Sequence, residues 1–122
     1  MATPLTRADI FSFALDQYGI TPDFPWGRTP NCAILRHANS RKWFCVVMDI
    51  TEDKLGLPGD RRIDVLLLKC DPVLNGSMRS QPGIYPAYHM NKSHWITVVL
   101  DSTLPVCQIY ALLDDSFRLT HQ

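Results

Sequence analysis

The chain has 122 residues, enough for one globular domain and too few for two of ordinary size. Hydrophobic residues make up 46% and charged residues 20%, which is typical of a folded protein and excludes a disordered one. Lys and Arg together number 12, as do Asp and Glu. This zero formal charge argues against a protein that grips nucleic-acid phosphates with its whole surface.

The first predicted element is a helix that ends at Gly19. Thr3 or Thr6 is the expected cap, and Pro4 suits the first turn. Its apolar residues recur at helical spacing and predict one buried stripe, formed by Ile10, Phe11, Ala14, Leu15 and Tyr18. Residues 21–30 contain three prolines and one glycine, which predicts a rigid loop and not a linker between domains.

Three strands are predicted next, over residues 32–38, 42–51 and 63–70. The first two are joined by the turn sequence Asn39-Ser40-Arg41, which favours a hairpin. Residues 65–68 are apolar without a break, so the third strand is expected to be central and covered on both faces. Alternation in the second strand predicts that its wholly apolar side faces the core, and this side carries Phe44, Val46, Met48 and Ile50.

A short helix is predicted from Asp71 and Pro72 to about Arg79, followed by a second hairpin and a last helix. The hairpin pairs residues 85–89 with 95–100 through a turn at 91–93. The last helix is expected to have Ser102 or Thr103 as its cap and Pro105 in its first turn. Its predicted buried stripe consists of Ile109, Leu112, Leu113 and Phe117.

The element order is therefore helix, three strands, helix, two strands, helix, within a single domain of residues 1–122. This order predicts an α+β fold, in which helices pack on an antiparallel sheet of about five strands. The residues expected in its core include Phe44, Val46, Val65, Leu67, Val98, Ile109 and Leu113.

One segment carries a family resemblance, the heptad His89-Met90-Asn91-Lys92-Ser93-His94-Trp95 with the apolar strand after it. Downstream come Leu104-Pro105, Gln108-Ile109-Tyr110, Leu112-Leu113 and Ser116. Together these residues resemble the signature of the MmcQ/YjbR family of small bacterial proteins, which are often labelled DNA-binding. The resemblance covers nearly the whole chain and implies a fold similar to the frataxin-like and secretion-chaperone-like sandwiches. It also implies DNA binding, because members of this family are sometimes described as carrying a double-wing DNA-binding motif.

Seven residues are the candidate nucleic-acid contacts. Cations at the two predicted hairpins suit phosphates, Asn91 suits an Asx turn or a base edge, and Trp95 offers a stacking surface. Alternation along the last strand puts Trp95 on its less covered face, where an aromatic ring beside a cation would form a ligand platform if no helix covers it. A structural role remains open for each, because a tryptophan often fills a groove and a histidine often satisfies a local hydrogen bond. The set is Arg36, Arg41, Lys42, Asn91, Lys92, His94 and Trp95.

Catalysis, cofactors and metals are not expected. The chain contains neither of the two common phosphate-binding glycine motifs, and no local pattern pairs a cysteine with a histidine as nucleophile and base. Its cysteines are widely separated and lack zinc-site spacing, so we expect free thiols in a reducing cytoplasm. They are Cys32, Cys45, Cys70 and Cys107. No signal peptide or membrane-spanning segment is predicted.

Two binding functions remain. The first is a non-catalytic protein, expected to be a monomer, that binds DNA weakly and without sequence specificity. The second is a protein-interaction or chaperone-like module without nucleic-acid binding, suggested by fold resemblance. The local basic segments and the family label favour the first, whereas the neutral net charge favours the second.

Overall fold

Helix α1 spans Arg7–Tyr18 in the computed structural model of the chain, which describes residues 5–25, 27, 31–88, 90–101 and 103–121. Thr6 is its cap, because the Thr6 hydroxyl accepts the Asp9 N–H while the Asp9 carboxylate accepts the Thr6 N–H. Gly19 ends the helix in the left-handed region, with φ of 68°. The alternative cap Thr3 and the first-turn Pro4 lie outside the described residues.

Five antiparallel strands form one sheet in the order β1-β2-β3-β5-β4. They are β1 (Ala33–Arg36), β2 (Trp43–Thr51), β3 (Arg62–Lys69), β4 (Ile84–Pro86) and β5 (Trp95–Val99). Helix α2 (Pro72–Arg79) connects β3 to β4, and α3 (Val106–Thr120) follows β5. A short 3-10 helix, Glu52–Leu55, also lies between β2 and β3. The α+β class and the predicted element order are confirmed.

Most predicted strand boundaries differ from the structure by one or two residues, and the differences at the fourth strand and at the last helix are larger. The strand expected over residues 85–89 is Ile84–Pro86, because the chain leaves the sheet after Pro86 and packs across its face. The predicted member His89 lies outside the described residues. Helix α3 begins at Val106, with Pro105 extended as its cap residue, so Pro105 is not in the first turn and Thr103 is not the cap. Ser102 lies outside the described residues.

A β-bulge in β2 changes which side chains face the helices. Leu35 pairs with Cys45 and Arg36 pairs with Trp43, so Phe44 is an extra residue between the two pairs. Phe44 and Cys45 consequently both belong to the core between the sheet and the helices, which also contains Ile10 of α1 and Ile109 of α3 and is called the helix-side core. The expectation that Val46, Met48 and Ile50 share a face with Phe44 was therefore wrong, since these three lie in clusters on the opposite, outer face.

Apolar side chains are buried on both faces of the sheet. The seven predicted core residues are all buried, but Val46, Val65 and Leu67 lie on the outer face. The expected double coverage of β3 is confirmed, because all four residues from Val65 to Leu68 are at most 1% exposed. The segment after β4 helps to cover the outer face, where the Tyr88 N–H donates to the Thr97 hydroxyl at 3.1 Å.

Ser116 fastens α3 to the sheet beside the bulge. Its hydroxyl donates to the Phe44 carbonyl at 2.5 Å and accepts the Lys69 N–H at 2.8 Å. Pairing of Cys45 with Leu68 is the last step of the regular β2–β3 ladder at this end. The buried serine therefore supplies the hydrogen bonds that the interrupted ladder lacks. This contact fixes the end of the sheet where the predicted site residues are found.

A candidate nucleic-acid interface at one end of the sheet

The antiparallel topology brings both predicted hairpin turns to the same end of the sheet. Strand β1 ends and β2 begins at the turn of residues 37–42, whereas β5 begins directly after the turn of residues 91–94. Strand β3, which lies between β2 and β5, ends here as well. Because neighbouring strands are about 4.8 Å apart, β2 and β5 are separated by roughly 10 Å at this end. We call the cations gathered here the cationic end: Arg36, Arg41, Lys42, Lys69 and Lys92.

The turn of residues 37–42 presents Arg41 and Lys42 to solvent. It is closed by two backbone hydrogen bonds, from the His37 N–H to the Lys42 carbonyl and from the Arg41 N–H to the His37 carbonyl. Arg41 has a φ of 65°, in the left-handed region that non-glycine residues seldom occupy. Arg36 is less available as a phosphate contact, because its Nε lies 2.7 Å from a carboxylate oxygen of Asp23.

The turn of residues 91–94 is shaped by Asn91. Its side-chain oxygen accepts the Ser93 N–H at 2.8 Å, which is the predicted Asx turn, and its carbonyl accepts the N–H groups of His94 and Trp95. The His94 carbonyl in turn accepts the Cys70 N–H at 2.8 Å, which ties the turn to the end of β3. Lys92 and His94 are exposed. Asn91 therefore positions the turn, while Lys92 is displayed by it.

Of the two roles left open for Trp95, the structure shows the structural one and not the exposed platform. Trp95 is only 8% exposed and packs in the outer-face cluster with Val46, Leu67 and Ala87. The expected neighbouring cation is present but belongs to another residue, since Lys69 Nζ lies 5.6 Å from the centroid of the Trp95 ring. Because the Trp95 ring is buried beneath Lys69, little of it is available for a base to stack on.

Lys69 is the site residue that the sequence interpretation missed. It pairs directly with Trp95 across β3 and β5, on the same outer face as Val65 and Leu67. The alternation of β3 was a signal that could have found it, because residues 65, 67 and 69 share one face and the last of them is charged. The unbroken apolar run before it obscured that alternation.

Most cations elsewhere in the described part of the chain are neutralised. Ion pairs join Arg7 to Asp64, Arg61 to Glu52, Arg62 to Asp49, and Arg118 to Asp114. Within the described residues, no ion pair involves four members of the cationic end: Arg41, Lys42, Lys69 and Lys92.

Two carboxylates lie close to the cationic end and limit its field. Asp71 caps α2 by accepting the Val73 N–H at 2.9 Å, and Asp115 is exposed on α3. Both line a groove of about 370 Å³ between α2 and α3, together with Lys69 and Arg118. The groove therefore carries equal numbers of basic and acidic residues and adds no net charge to the interface. Attraction of an anion rests on the two turns and Lys69.

The four thiols are all unpaired, as predicted. Burial raises the pKa values of Cys32, Cys45 and Cys70, whereas Cys107 is exposed on α3. His37 is buried beside Phe44 and Phe117, and its Nε2 lies 2.8 Å from the Thr120 hydroxyl. Across the described ranges, no three potential ligands among His, Cys, Asp and Glu are grouped as a metal would require. None of the described helices is both long enough and apolar enough to span a membrane.

Comparison with known proteins shows a family model and several relatives that this chain resembles in sequence. The YjbR family model matches residues 15–119. The uncharacterised protein YyaQ of Bacillus subtilis is 47% identical over 116 residues, which cover 95% of this chain and 98% of that protein. The uncharacterised protein YjbR of Escherichia coli is 46% identical over 52 residues, covering 42% of this chain and 44% of that protein.

Solved structures show the same fold. A crystal structure of a Pseudomonas syringae protein, 47% identical, superposes with a TM-score of 0.93 and covers 96% of this chain and 100% of its own. A Deinococcus radiodurans protein, 26% identical, superposes with a TM-score of 0.73 and covers 98% of this chain and 81% of its own. The names of these relatives assign them no activity.

Proposed function

The chain belongs to the YjbR family, and from this premise we propose that it is a non-catalytic protein that binds DNA through its cationic end. The observation that carries the proposal is the grouping, at one end of the sheet, of four cations that form no ion pair with any residue the structure describes. Phosphate contacts of Lys and Arg supply most of the affinity of proteins that bind nucleic acid without sequence specificity. The residues are Arg41, Lys42, Lys69 and Lys92.

The proposed binding is weak and non-specific. These four cations can contact three or four phosphates, because they lie at the ends of only three neighbouring strands. Neutralisation of three or four phosphates corresponds to a fall of log K with log salt at a slope of about −3. The carboxylates of Asp71 and Asp115 reduce attraction at longer range, which keeps the affinity modest at physiological salt.

Recognition through phosphates is possible for both duplex and single-stranded DNA. Sequence-tolerant binding of single strands commonly uses exposed aromatic rings on which bases stack, at about 1–3 kcal/mol per base. Trp95 is buried and offers no such platform. We therefore expect duplex DNA to bind at least as tightly as single-stranded DNA of equal length, because its charge density is higher, and both to lose affinity as salt increases.

A salt titration with paired charge variants tests the proposal. Fluorescence anisotropy of a labelled 20-base-pair duplex is measured from low to physiological salt for wild type, for the double variant Arg41→Gln/Lys42→Gln and for Lys54→Gln. Lys54 is the matched control, because it is exposed and follows the opposite end of β2, eight residue steps or roughly 27 Å away. The double variant is expected to reduce the salt slope by about two units, and Lys54→Gln to leave it unchanged.

Two outcomes contradict the proposal. Wild-type protein without salt-dependent binding to either form of DNA at low ionic strength does not bind nucleic acid by this route, and the protein-interaction alternative takes its place. If each charge removed by the double variant changes the salt slope no more than the one removed by Lys54→Gln, any binding is a diffuse response to charge and is not located at the cationic end.

A further inference from the structure

Helix α1 does not bury all of its apolar side chains. Ile10 and Ala14 are fully buried, and Phe11 and Phe13 are half-buried against the helix-side core. Leu15 was predicted to share their stripe, but it is 55% exposed. The prediction failed because residues 10 and 14 already turn towards the sheet, so that residue 15 lies about 100° further around the helix. The Leu15 side chain is therefore mostly solvent-exposed, unlike the other large apolar side chains of α1.

A groove runs between α1 and α3 at this position. It has a volume of about 510 Å³ and is lined by Asp9, Ser12, Phe13, Leu15, Asp16 and Tyr110. The rings of Phe13 and Tyr110 stack with centroids 4.2 Å apart and planes 9° apart, which gives the groove a flat aromatic wall. Leu15 therefore lies at the edge of a shallow, open groove that is lined by two aromatic rings.

The charge of this groove has a single sign. Asp9 and Asp16 are its charged residues, and among the described residues no Lys or Arg lines it. Hydrogen bonds from Thr6 lower the pKa of Asp9, so its carboxylate is ionised at neutral pH. Burial, with a further contribution from Asp9, raises the pKa of Tyr110, so that ring stays neutral and keeps its electron-rich faces. Carboxylates beside aromatic rings are the chemistry that recognises a cation.

We propose that the groove between α1 and α3 is a docking surface for a basic amphipathic helix of a partner protein. Asp9 and Asp16 are seven residues apart, which is two helical turns and about 10.5 Å along the axis. Lys or Arg residues seven apart on one face of a partner helix have the same spacing. Leu15 adds an apolar contact that a small organic cation does not need, which favours an amphipathic peptide as the occupant.

The test uses a synthetic helical peptide of 15 residues, with lysines seven residues apart and leucines on the same face, and a scrambled peptide of identical composition. Binding to the full chain is followed by NMR amide shifts and by calorimetry. The designed peptide is expected to shift amides of α1 and of α3 near Tyr110, and to bind more tightly than the scrambled one. Asp16→Asn is expected to weaken it about threefold, as for an exposed ion pair, and Asp16→Asn/Leu15→Ser about tenfold.

Matched substitutions on α3 provide the control. Asp115→Asn and Leu119→Ser make the same chemical changes at exposed positions outside this groove, and are expected to change binding less than twofold. The proposal is overturned if both peptides bind equally, if shifts map elsewhere, or if the α3 variants weaken binding as much as the α1 variants. It is also overturned if spermidine binds as tightly as the peptide and Leu15→Ser has no effect, because the groove then recognises a cation alone.

Discussion

The ammonium group of Lys69 lies 5.6 Å from the centroid of the Trp95 ring, on directly paired positions of β3 and β5. A cation over an indole face is stabilised by the ring quadrupole. Because the ring beneath is only 8% exposed, this pair combines a structural tryptophan with a surface charge. The division matters for function, since the charge is available to an anion while the ring is not.

Substitution of Trp95 is therefore expected to affect stability and not DNA binding. Trp95→Ala removes a large ring from the outer-face cluster and is expected to cost about 3–5 kcal/mol of unfolding free energy, measured by urea denaturation. Trp95→Phe keeps part of the ring and is expected to cost less. Where either variant remains folded, its salt slope for DNA is expected to match wild type. A stable Trp95→Ala protein that loses single-stranded binding alone contradicts this assignment.

Ser116 provides a second test of the sheet end. Ser116→Ala leaves the Phe44 carbonyl and the Lys69 N–H without their partner. Since each buried unsatisfied group costs about 1–3 kcal/mol, we expect a total loss of about 2–6 kcal/mol in urea denaturation. Ser77→Ala on the exposed face of α2 is the control and is expected to stay within about 0.5 kcal/mol of wild type. Equal effects of the two substitutions contradict the bridging role.

These contacts explain where sequence interpretation succeeded and where it failed. Local patterns predicted the elements well, because a capping box at Thr6 and an Asx turn at Asn91 involve residues close in sequence. The face of Val46 was predicted wrongly, because strict alternation takes no account of the bulge at Phe44. The burial of Trp95 depends on a segment after β4 that leaves the sheet and covers its outer face. Neither feature has a signature within its own strand.

The candidate site was partly predictable for the same reason. Charges at hairpin turns are readable from sequence, and antiparallel pairing then places Lys42 and Lys92 at one end. The pairing of Arg36 with Asp23 is not readable, because it depends on the loop that precedes β1. Lys69 was obscured by the apolar run that makes β3 central.

The buried His37 is expected to make stability depend on pH. Burial lowers the pKa of His37 below its ordinary value of 6.5. Below pH 6.5 the unfolded chain therefore binds more protons than the folded one. The unfolding free energy keeps its full value above pH 6.5 and falls as the pH decreases below it. His37→Gln is expected to flatten this dependence in urea titrations between pH 5 and pH 7.5, whereas His94→Gln, at an exposed turn, should keep it. Parallel wild-type and His37→Gln profiles contradict the prediction.

The thiols are expected to differ in reactivity. Because the thiolate is the reactive form, burial that raises the pKa values of Cys32, Cys45 and Cys70 slows their reaction as well as shielding them. The exposed Cys107 is expected to react first with a thiol-specific chromogenic disulfide under native conditions, and all four only after unfolding. Cys107→Ser should abolish the fast phase. Persistence of that phase in the variant means that a second thiol is accessible.

The last prediction concerns Lys92, which the Asn91 turn presents at the cationic end. It is exposed and makes no ion pair with a described carboxylate, so packing gives no reason for its charge. Lys92→Ala is therefore expected to weaken binding to duplex DNAs of different sequence by a uniform factor and to reduce the salt slope by about one unit. Anisotropy titrations on two unrelated duplexes measure both quantities.

Lys54→Ala is the matched control for Lys92→Ala, since it removes the same side chain beyond the opposite end of β2. Truncation of either exposed lysine is expected to leave the urea midpoint unchanged, so a difference between them in DNA binding reflects position and not stability. A Lys92→Ala effect confined to one duplex indicates a base contact in place of a phosphate contact. An unchanged slope removes Lys92 from the interface, because a lysine that neutralises a phosphate releases a counterion whatever the sequence around it.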